Sequence, residues 1–559
     1  IVDYPPEAKA GDLNAILGLG VEFIETHSFR TMDKMGSLNM LETQLGRLIS
    51  GEEASEAEIE MMKLAVEEVR DGRIVGGEYH FSLALFGRSL AEVQAACAAV
   101  RREVAAYKLE DSRLIPESAW FAQLPGNWDY RPRLAFMTSR NFAGLAPMHT
   151  HPTGKACGNP WGEAVAVLRG SANQPYAFNF HSAAAGLDRA DEKDPGNTVV
   201  FGMVGTGKTA LVIFLLAQAQ RFRPRVLFLD KDRGAEIAIR VFGGAYTVFR
   251  KGEYTGLNPF QWDDTPETRA LCRRVVAACV RRGDEVLEAR DETDINVAVS
   301  AVFDSLPVAE RRLSAVSHFL PGGETGNLSE GLRKWIGDGY AAWVLDSPLD
   351  TLAIRSHRIF GIDYTVFLDD DEIRGPVMLI LMALRDSLVD GTPFISVIDE
   401  FWKAYLSKEL ADDDKNKLKT GRKISMINVL LSQSVSDAME HEHARTVVEQ
   451  TPTKIFLPNP DASRAEYVEQ LGLSDREFEL IKSFGQYSRQ AMIRQPGGSA
   501  VVNLDLSGLG GDMLALSGSL DNVYLMDELR ARHGDDPEQW FPLLVEAVRD
   551  RRAAKAGLR

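Results

Sequence analysis

The sequence predicts an α/β protein: a parallel-sheet domain interrupted by an all-α insertion and preceded by a smaller α+β domain. Three observations carry that prediction. Short apolar runs of strand length recur at residues 197–201, 225–230, 394–398 and 427–431. A glycine-rich turn joins the first of these runs to a segment with helical spacing. From about 265 to 390 the apolar spacing becomes helical. Alternating strands and helices of this kind close into a parallel sheet with right-handed crossovers.

In chain order, residues 1–160 form the first block. Apolar spacing predicts helices over 38–48, 56–69 and 90–107, and a half-buried strand over 79–86. Pro116, Pro125, Gly126 and Pro132 predict loops after them. The second block, 161–559, opens with a hairpin from the runs 164–168 and 176–180 and a polar loop at 188–196. Strand 197–201, helix 209–221 and strand 225–230 follow, and then the insertion at about 265–390, with helices over 267–282, 298–305, 309–319, 329–336 and 374–388. Strands resume at 394–398, 427–431, 454–457, 490–493 and 501–504, and a charged helix occupies 535–559.

Composition bounds the function. A chain of 559 residues allows about three or four domains. Its 45% hydrophobic and 26% charged residues are those of a globular protein. The formal net charge of -17 argues against a generic nucleic-acid coat, because phosphates would be repelled. Cys97, Cys157, Cys272 and Cys279 show no C-x-x-C spacing, and Cys272 and Cys279 read as buried small hydrophobes. His149 and His151 lack a third ligand at a metal spacing and read as loop residues. No apolar run approaches the ~20 residues that cross a bilayer. The chain begins at Ile1 without a basic-then-apolar leader, so a further N-terminal segment is expected.

The chemistry is concentrated in a few segments. Gly202-Met203-Val204-Gly205-Thr206-Gly207-Lys208-Thr209, followed by Ala210, fits G-x-x-x-x-G-K-[ST] between a strand and a helix. Glycines let backbone N–H groups wrap a phosphate at the helix N-terminus. Lys208 would reach the β- and γ-phosphates of ATP, and the Thr209 hydroxyl would hold Mg²⁺. The apolar strand 394–398 delivers Asp399 and Glu400 at its C-terminal end, where ligands collect in open α/β sheets. Asp399 would hold Mg²⁺ through water, and Glu400 would act as general base on the attacking water. Two solvated acids at a strand end are the plain alternative, and the upstream glycine-rich loop favours the catalytic one. Gln433, between Ser432 and Ser434 at the end of the next strand, is a candidate sensor of the γ-phosphate; an ordinary strand-end turn is the alternative. Arg422, Lys423 and Arg489 are candidate cations for the developing charge, in cis or from a neighbouring subunit, each weighed against an ordinary surface residue. Asp230-Lys231-Asp232-Arg233-Gly234 ends the second strand on the nucleotide side, where an Asp–Arg pair fixing the loop is as good a reading as ligand contact. The turn-rich segment 252–260 reads as a structural loop.

These motifs agree with a known family. The sequence resembles the VirB/TrbE/CagE-type ATPases of type IV secretion and conjugal-transfer systems. The resemblance rests on the segments already quoted and on others in family order. These include Leu124-Pro-Gly-Asn127, Thr138-Ser-Arg-Asn-Phe-Ala, Pro160-Trp-Gly162, Gly243-Gly-Ala-Tyr and Thr255-Gly-Leu-Asn-Pro259. Further along stand Ile398-Asp-Glu-Phe-Trp-Lys403, Gly421-Arg-Lys423, Phe456-Leu-Pro-Asn459 and Leu504-Asp-Leu-Ser-Gly508. Ser432 stands where the family usually has Thr, which keeps a hydroxyl; the family chain is also longer at its N-terminus. The resemblance implies a RecA-like P-loop motor that hydrolyses ATP with Mg²⁺ and energises pilus assembly and transfer of DNA or protein. It implies a homo-hexamer, peripheral on the cytoplasmic face of the bacterial inner membrane. Its implied partners are inner-membrane subunits, other secretion ATPases and the transported substrate. A DNA-pumping ATPase of the coupling-protein or HerA/FtsK-like class is the alternative, which the acidic net charge disfavours. A nucleotide-binding scaffold without turnover is a third, against which the joint presence of Lys208, Thr209, Asp399 and Glu400 argues.

Overall fold

The computed structural model describes residues 21–555 with Ala8, Leu13, Ile16 and Leu19, apart from 51–55, 105–106, 108, 111, 113–115, 147–151, 182–195, 282–286, 322–326, 353, 407–424, 441 and 517. The chain forms two compact units: Ile1–His151 with Gly170–Gln174, and Pro152–Arg169 with Pro175–Arg559.

The first unit is α+β. Strands β1 (Glu22–Thr31), β2 (Gly76–Phe86) and β3 (Ala135–Thr138) form an antiparallel sheet in that order. Helices Lys34–Ser50, Glu56–Arg70 and Leu90–Glu103 accompany it. The last is shorter than its spacing predicts: Ser89 caps its start, and Val104 leaves helical geometry at its end (φ -111°, ψ 41°). Pro116 begins a short helix, Pro116–Phe121, where a loop is expected, because proline fits the first helical position. Strand β1 is not anticipated from the apolar pattern, since polar residues share its buried face. His27 lies there between Glu25 Oε1 at 2.5 Å and the Tyr79 hydroxyl at 2.8 Å.

The second unit is built on one large sheet. Its strands are β4 (Ala166–Gly170), β5 (Pro175–Phe178), β6 (Thr198–Phe201), β7 (Arg225–Asp230), β8 (Ala245–Val248), β9 (Ile359–Asp363), β10 (Phe394–Ile398), β11 (Met426–Ser432), β12 (Thr453–Phe456), β13 (Gln490–Gln495) and β14 (Gly498–Asn503). Their spatial order is β5-β4-β14-β13-β12-β6-β11-β10-β7-β9-β8. The ladders from β12 to β8 are parallel; β12–β13, β13–β14 and β4–β5 are antiparallel. Alternate residues along the central strands face opposite ways. Val199, Phe201, Leu227, Leu229 and Ile398 enter one core, and Val200, Val226, Phe228, Val397 and Val429 enter the other. Both faces are covered, so these strands read as unbroken apolar runs.

One boundary needs correction. The range 265–390 is not all-α, because Ile359–Asp363 is a strand inserted between β7 and β8. A five-residue apolar run among helices gives no usable period. The helices Pro266–Val280 and Ala289–Ser305 bury Val275, Cys279, Val299 and Phe303 in the same core as Phe201 and Leu229, so this stretch covers one face of the sheet. Helix Asp371–Ser387 then leads back to β10. The end of the chain adds helix Leu520–His533, unanticipated, and helix Pro537–Lys555, which pack Met526 and Trp540 with Ile237.

Candidate functional site

Register places the site at the C-terminal ends of the parallel strands. Strand β11 lies between β6 and β10, with Ser432 opposite Phe201 and Leu430 opposite Ile398. The loop from Gly202 therefore starts beside the residues after β11, and Gly202 N–H donates to the Ser432 carbonyl at 3.2 Å. A side chain at Gly202 has no room: its Cβ would stand 2.7 Å from Leu457 Cδ1. Gly205 and Gly207 have φ of +82° and +93°, left-handed values that turn the chain around an open cradle. The Thr206 hydroxyl donates to the Met203 carbonyl at 2.8 Å and closes the loop on itself. Helix Lys208–Ala219 begins there, directing its first N–H groups at the cradle.

Lys208 is buried, with Nζ 3.8 Å from Asp399 Oδ1 and 4.0 Å from Glu400 Oε1. Burial lowers its pKa, against the pull of Asp399 and Glu400, and Lys231 lowers it further. Burial raises the Asp399 carboxyl to about 6, while Lys208 draws it down and Glu400 pushes it up. Each group is desolvated more than its neighbour compensates, so the pair is poised to receive further charged groups. Glu400 is held at φ +50°, a left-handed conformation that a β-carbon disfavours. The Trp402 indole N–H donates to Glu400 Oε2 at 2.8 Å, while Oε1 is buried without a hydrogen-bond partner. A carboxylate fixed through one oxygen and left bare at the other suits proton abstraction from a bound water.

Gln433 is part-buried at the end of β11, beside the first glycine of the loop. Arg489 precedes β13, which runs antiparallel to β12, so it stands on the same edge of the sheet; it is exposed, and its Nη1 lies 2.6 Å from Asp505 Oδ1. Arg422, Lys423, His149 and His151, with the loop at 188–195, lie outside the described residues. The Asp–Arg pairing expected in the loop after β7 is not formed with Asp230: Arg233 pairs with Glu236 at 2.5 Å and Asp527 at 2.7 Å. Asp230 is fully buried, and its Oδ2 accepts from Tyr246 at 2.6 Å and from Ala235 N–H at 2.7 Å. The segment 252–260 is structural: Asn258 binds the carbonyls of Arg311 and Ser347, both at 2.9 Å. Cys272 and Cys279 are buried thiols whose pKa burial raises.

Sequence reasoning missed three contributors. Trp402, two residues after Glu400, orients the carboxylate. Tyr364 is buried and donates to the Asp399 carbonyl. Lys231 adds positive charge to both Lys208 and Asp399. Trp402 and Lys231 carried a signal through the motifs in which they stand, and Tyr364 carried none.

Among the described residues, no cluster of three or more His, Cys, Asp or Glu offers a cation a complete protein cage. A Mg²⁺ ion does not need one, because nucleotide phosphates and water fill most of its octahedron. One hydroxyl from Thr209 and one carboxylate from Asp399 are the oxygen donors that chemistry requires, and the open glycine cradle has space for the phosphates.

Fold and site together define a P-loop NTPase. Comparison with known proteins narrows the class. Residues 1–133 match the CagE, TrbE, VirB family, a component of the type IV transporter system. The type IV secretion system protein VirB4 of Bartonella henselae is 38% identical over 547 residues, 97% of this chain and 68% of the relative. The type IV secretion system protein PtlC of Bordetella pertussis is 34% identical over 574 residues, 100% of this chain and 69% of the relative. The solved structure of VirB4 of Thermoanaerobacter pseudethanolicus superposes with a TM-score of 0.51 at 15% identity, covering 63% of this chain and 98% of that one, a likeness of fold. The chain belongs to the VirB4 family of type IV secretion system proteins. Among the described residues, no helix is long and apolar enough to cross a membrane.

Proposed function

We propose that this chain hydrolyses ATP to energise type IV secretion. The observation that carries the reading is the convergence of Lys208, Asp399 and Glu400 at the strand ends, with Glu400 Oε1 buried and bare. The backbone from Gly202 to Ala210 binds the phosphates, and Lys208 binds the β- and γ-phosphoryl oxygens. Thr209 and Asp399 hold Mg²⁺, which when bound neutralises charge between those phosphates. Glu400 accepts the proton of the attacking water, and Trp402 keeps its carboxylate facing the cradle. Gln433 reports the γ-phosphate to β11, and Arg489 supplies a cation to the site of a neighbouring copy in a homo-hexamer. In the cell the chain works peripherally at the cytoplasmic face of the inner membrane, with inner-membrane subunits, other secretion ATPases and the transported DNA or protein.

The test is Glu400→Gln. The amide keeps the size and the bond to Trp402 but cannot take a proton. Turnover should fall about 10²- to 10⁴-fold with ATP binding retained. Wild-type turnover in this variant would remove Glu400 as the base.

A further inference from the structure

Asp230 is wholly buried, yet only half of its carboxylate is used. Tyr246 and Ala235 N–H both bond to Oδ2. Oδ1 is buried with no hydrogen-bond partner. Burial pushes the pKa of this carboxyl well above the usual range while Tyr246 and Ala235 draw it down, and neither donor reaches Oδ1, so those contacts do not explain the unpartnered oxygen. Its position offers an explanation. Asp399 N–H donates to the Leu229 carbonyl at 2.9 Å, which sets Asp399 beside Asp230, and Asp230 is opposite Asp363. Three carboxylates thus stand in a row at the ends of β10, β7 and β9, with Lys208 and Lys231 the cations that act on Asp399. Gly234 lies between Oδ1 and the start of helix Lys208–Ala219: a Cβ on it would be 3.5 Å from Asp230 Oδ1, 3.6 Å from the Lys231 carbonyl and 3.7 Å from the Thr209 methyl carbon.

We propose that Asp230 is a positioning residue for the divalent cation, its bare Oδ1 accepting a hydrogen bond from a water molecule in the hydration shell of the ion held by Thr209 and Asp399. The inference rests on the reading of Lys208 and Thr209 as the nucleotide cradle. Tyr246 and Ala235 aim the carboxylate, and the missing side chain at Gly234 leaves room for the water. Outer partners of this kind set metal affinity by about 10- to 100-fold.

The experiment measures binding of a fluorescent ATP analogue to the whole chain against Mg²⁺ concentration, with Mn²⁺ affinity by electron paramagnetic resonance as the second readout. Asp230→Asn keeps an acceptor for Tyr246 and Ala235 but turns the bare oxygen into a donor. Gly234→Ala fills that room with a methyl at ordinary contact distances, at a position whose backbone alanine adopts. Both should raise the half-saturating Mg²⁺ and weaken Mn²⁺ binding about 10- to 100-fold, with metal-free nucleotide binding unchanged. Tyr246→Phe removes one of the two donors that aim the carboxylate, so it should lower the melting temperature and raise the half-saturating Mg²⁺ less than Asp230→Asn does, because the Ala235 N–H still holds Oδ2. Wild-type metal dependence in Asp230→Asn and Gly234→Ala overturns the inference, as does an equal shift in Tyr246→Phe. If Asp230→Asn does not fold, Gly234→Ala decides alone. A wild-type chain without any Mg²⁺-dependent nucleotide binding overturns the cradle reading itself, an outcome distinct from variants that behave like a metal-dependent wild type.

Discussion

Lys208 and Lys454 stand toward opposite ends of one strand pair. Lys208 follows β6 at its C-terminal end, while Lys454 lies on β12 opposite Val199, near the N-terminal end of β6. Burial depresses the pKa of both ammonium groups. Their surroundings differ. Lys208 faces two acids that lie just beyond hydrogen-bond reach, one with a bare oxygen, under a glycine cradle. Lys454 donates to the Thr451 carbonyl at 2.6 Å and faces Arg494 across the ladder, while Arg494 donates to the Gly472 carbonyl at 2.7 Å. A buried cation is therefore no mark of a site by itself. The mark is several desolvated groups converging without satisfying one another, which a ligand completes.

Substituting each lysine by methionine breaks or sharpens that contrast. Lys208→Met should lower ATP turnover by at least about 10²-fold, the scale of losing one preorganised charge at a reacting phosphate. Steady-state hydrolysis within a few-fold of wild type would erase the distinction.

Lys454→Met should leave turnover intact and stabilise the protein. Burial, then Arg494, brings Lys454 down to about 8 from 10.5. A lowered lysine pKa means that the folded state resists the charge. The penalty is complete below pH 8 and is relieved as pH rises from 8 to 10.5. At pH 7 the gain is up to about 3 kcal/mol, less the hydrogen bond to the Thr451 carbonyl that methionine cannot make. Denaturant midpoints of variant and wild type should differ most at pH 7 and converge by pH 10.5. A constant difference across that window would assign the effect to packing instead.

The smallest effect is expected at Trp402→Phe, which removes the donor to Glu400 Oε2 but keeps the ring. Freed to turn, the carboxylate should lose about tenfold in turnover with ATP binding unchanged, on the scale of one hydrogen bond to a charged group. An unaltered rate constant would show that the left-handed backbone of Glu400 suffices to aim it.

Legibility followed the length of chain over which each feature is encoded. The cradle lies within nine consecutive residues, so spacing alone located it, and the Asp399–Glu400 pair is contiguous and ends an apolar strand. Strand β9 was hidden because five residues between helices carry no period, and β1 because Glu25 and His27 share its buried face. Trp402 stood inside a recognised motif, two residues after Glu400, yet residue type does not say which way an indole points. The bare oxygen of Asp230 had no sequence signal, since satisfaction depends on Tyr246, sixteen residues on in the chain.

Local chemistry was thus determined by the sequence itself. Glycines that accept positive φ, a lysine and a hydroxyl at the start of a helix, and acids at a strand end are properties of contiguous residues. Tertiary structure decided which of these meet. Strand β11, late in the chain, separates β6 from β10 and brings Gln433 beside the cradle, and β7 sets Asp230 next to Asp399. Strand order is a global outcome of burying both faces of one sheet, and the burial that shifts Lys208 and Asp399 exists only once that sheet has closed.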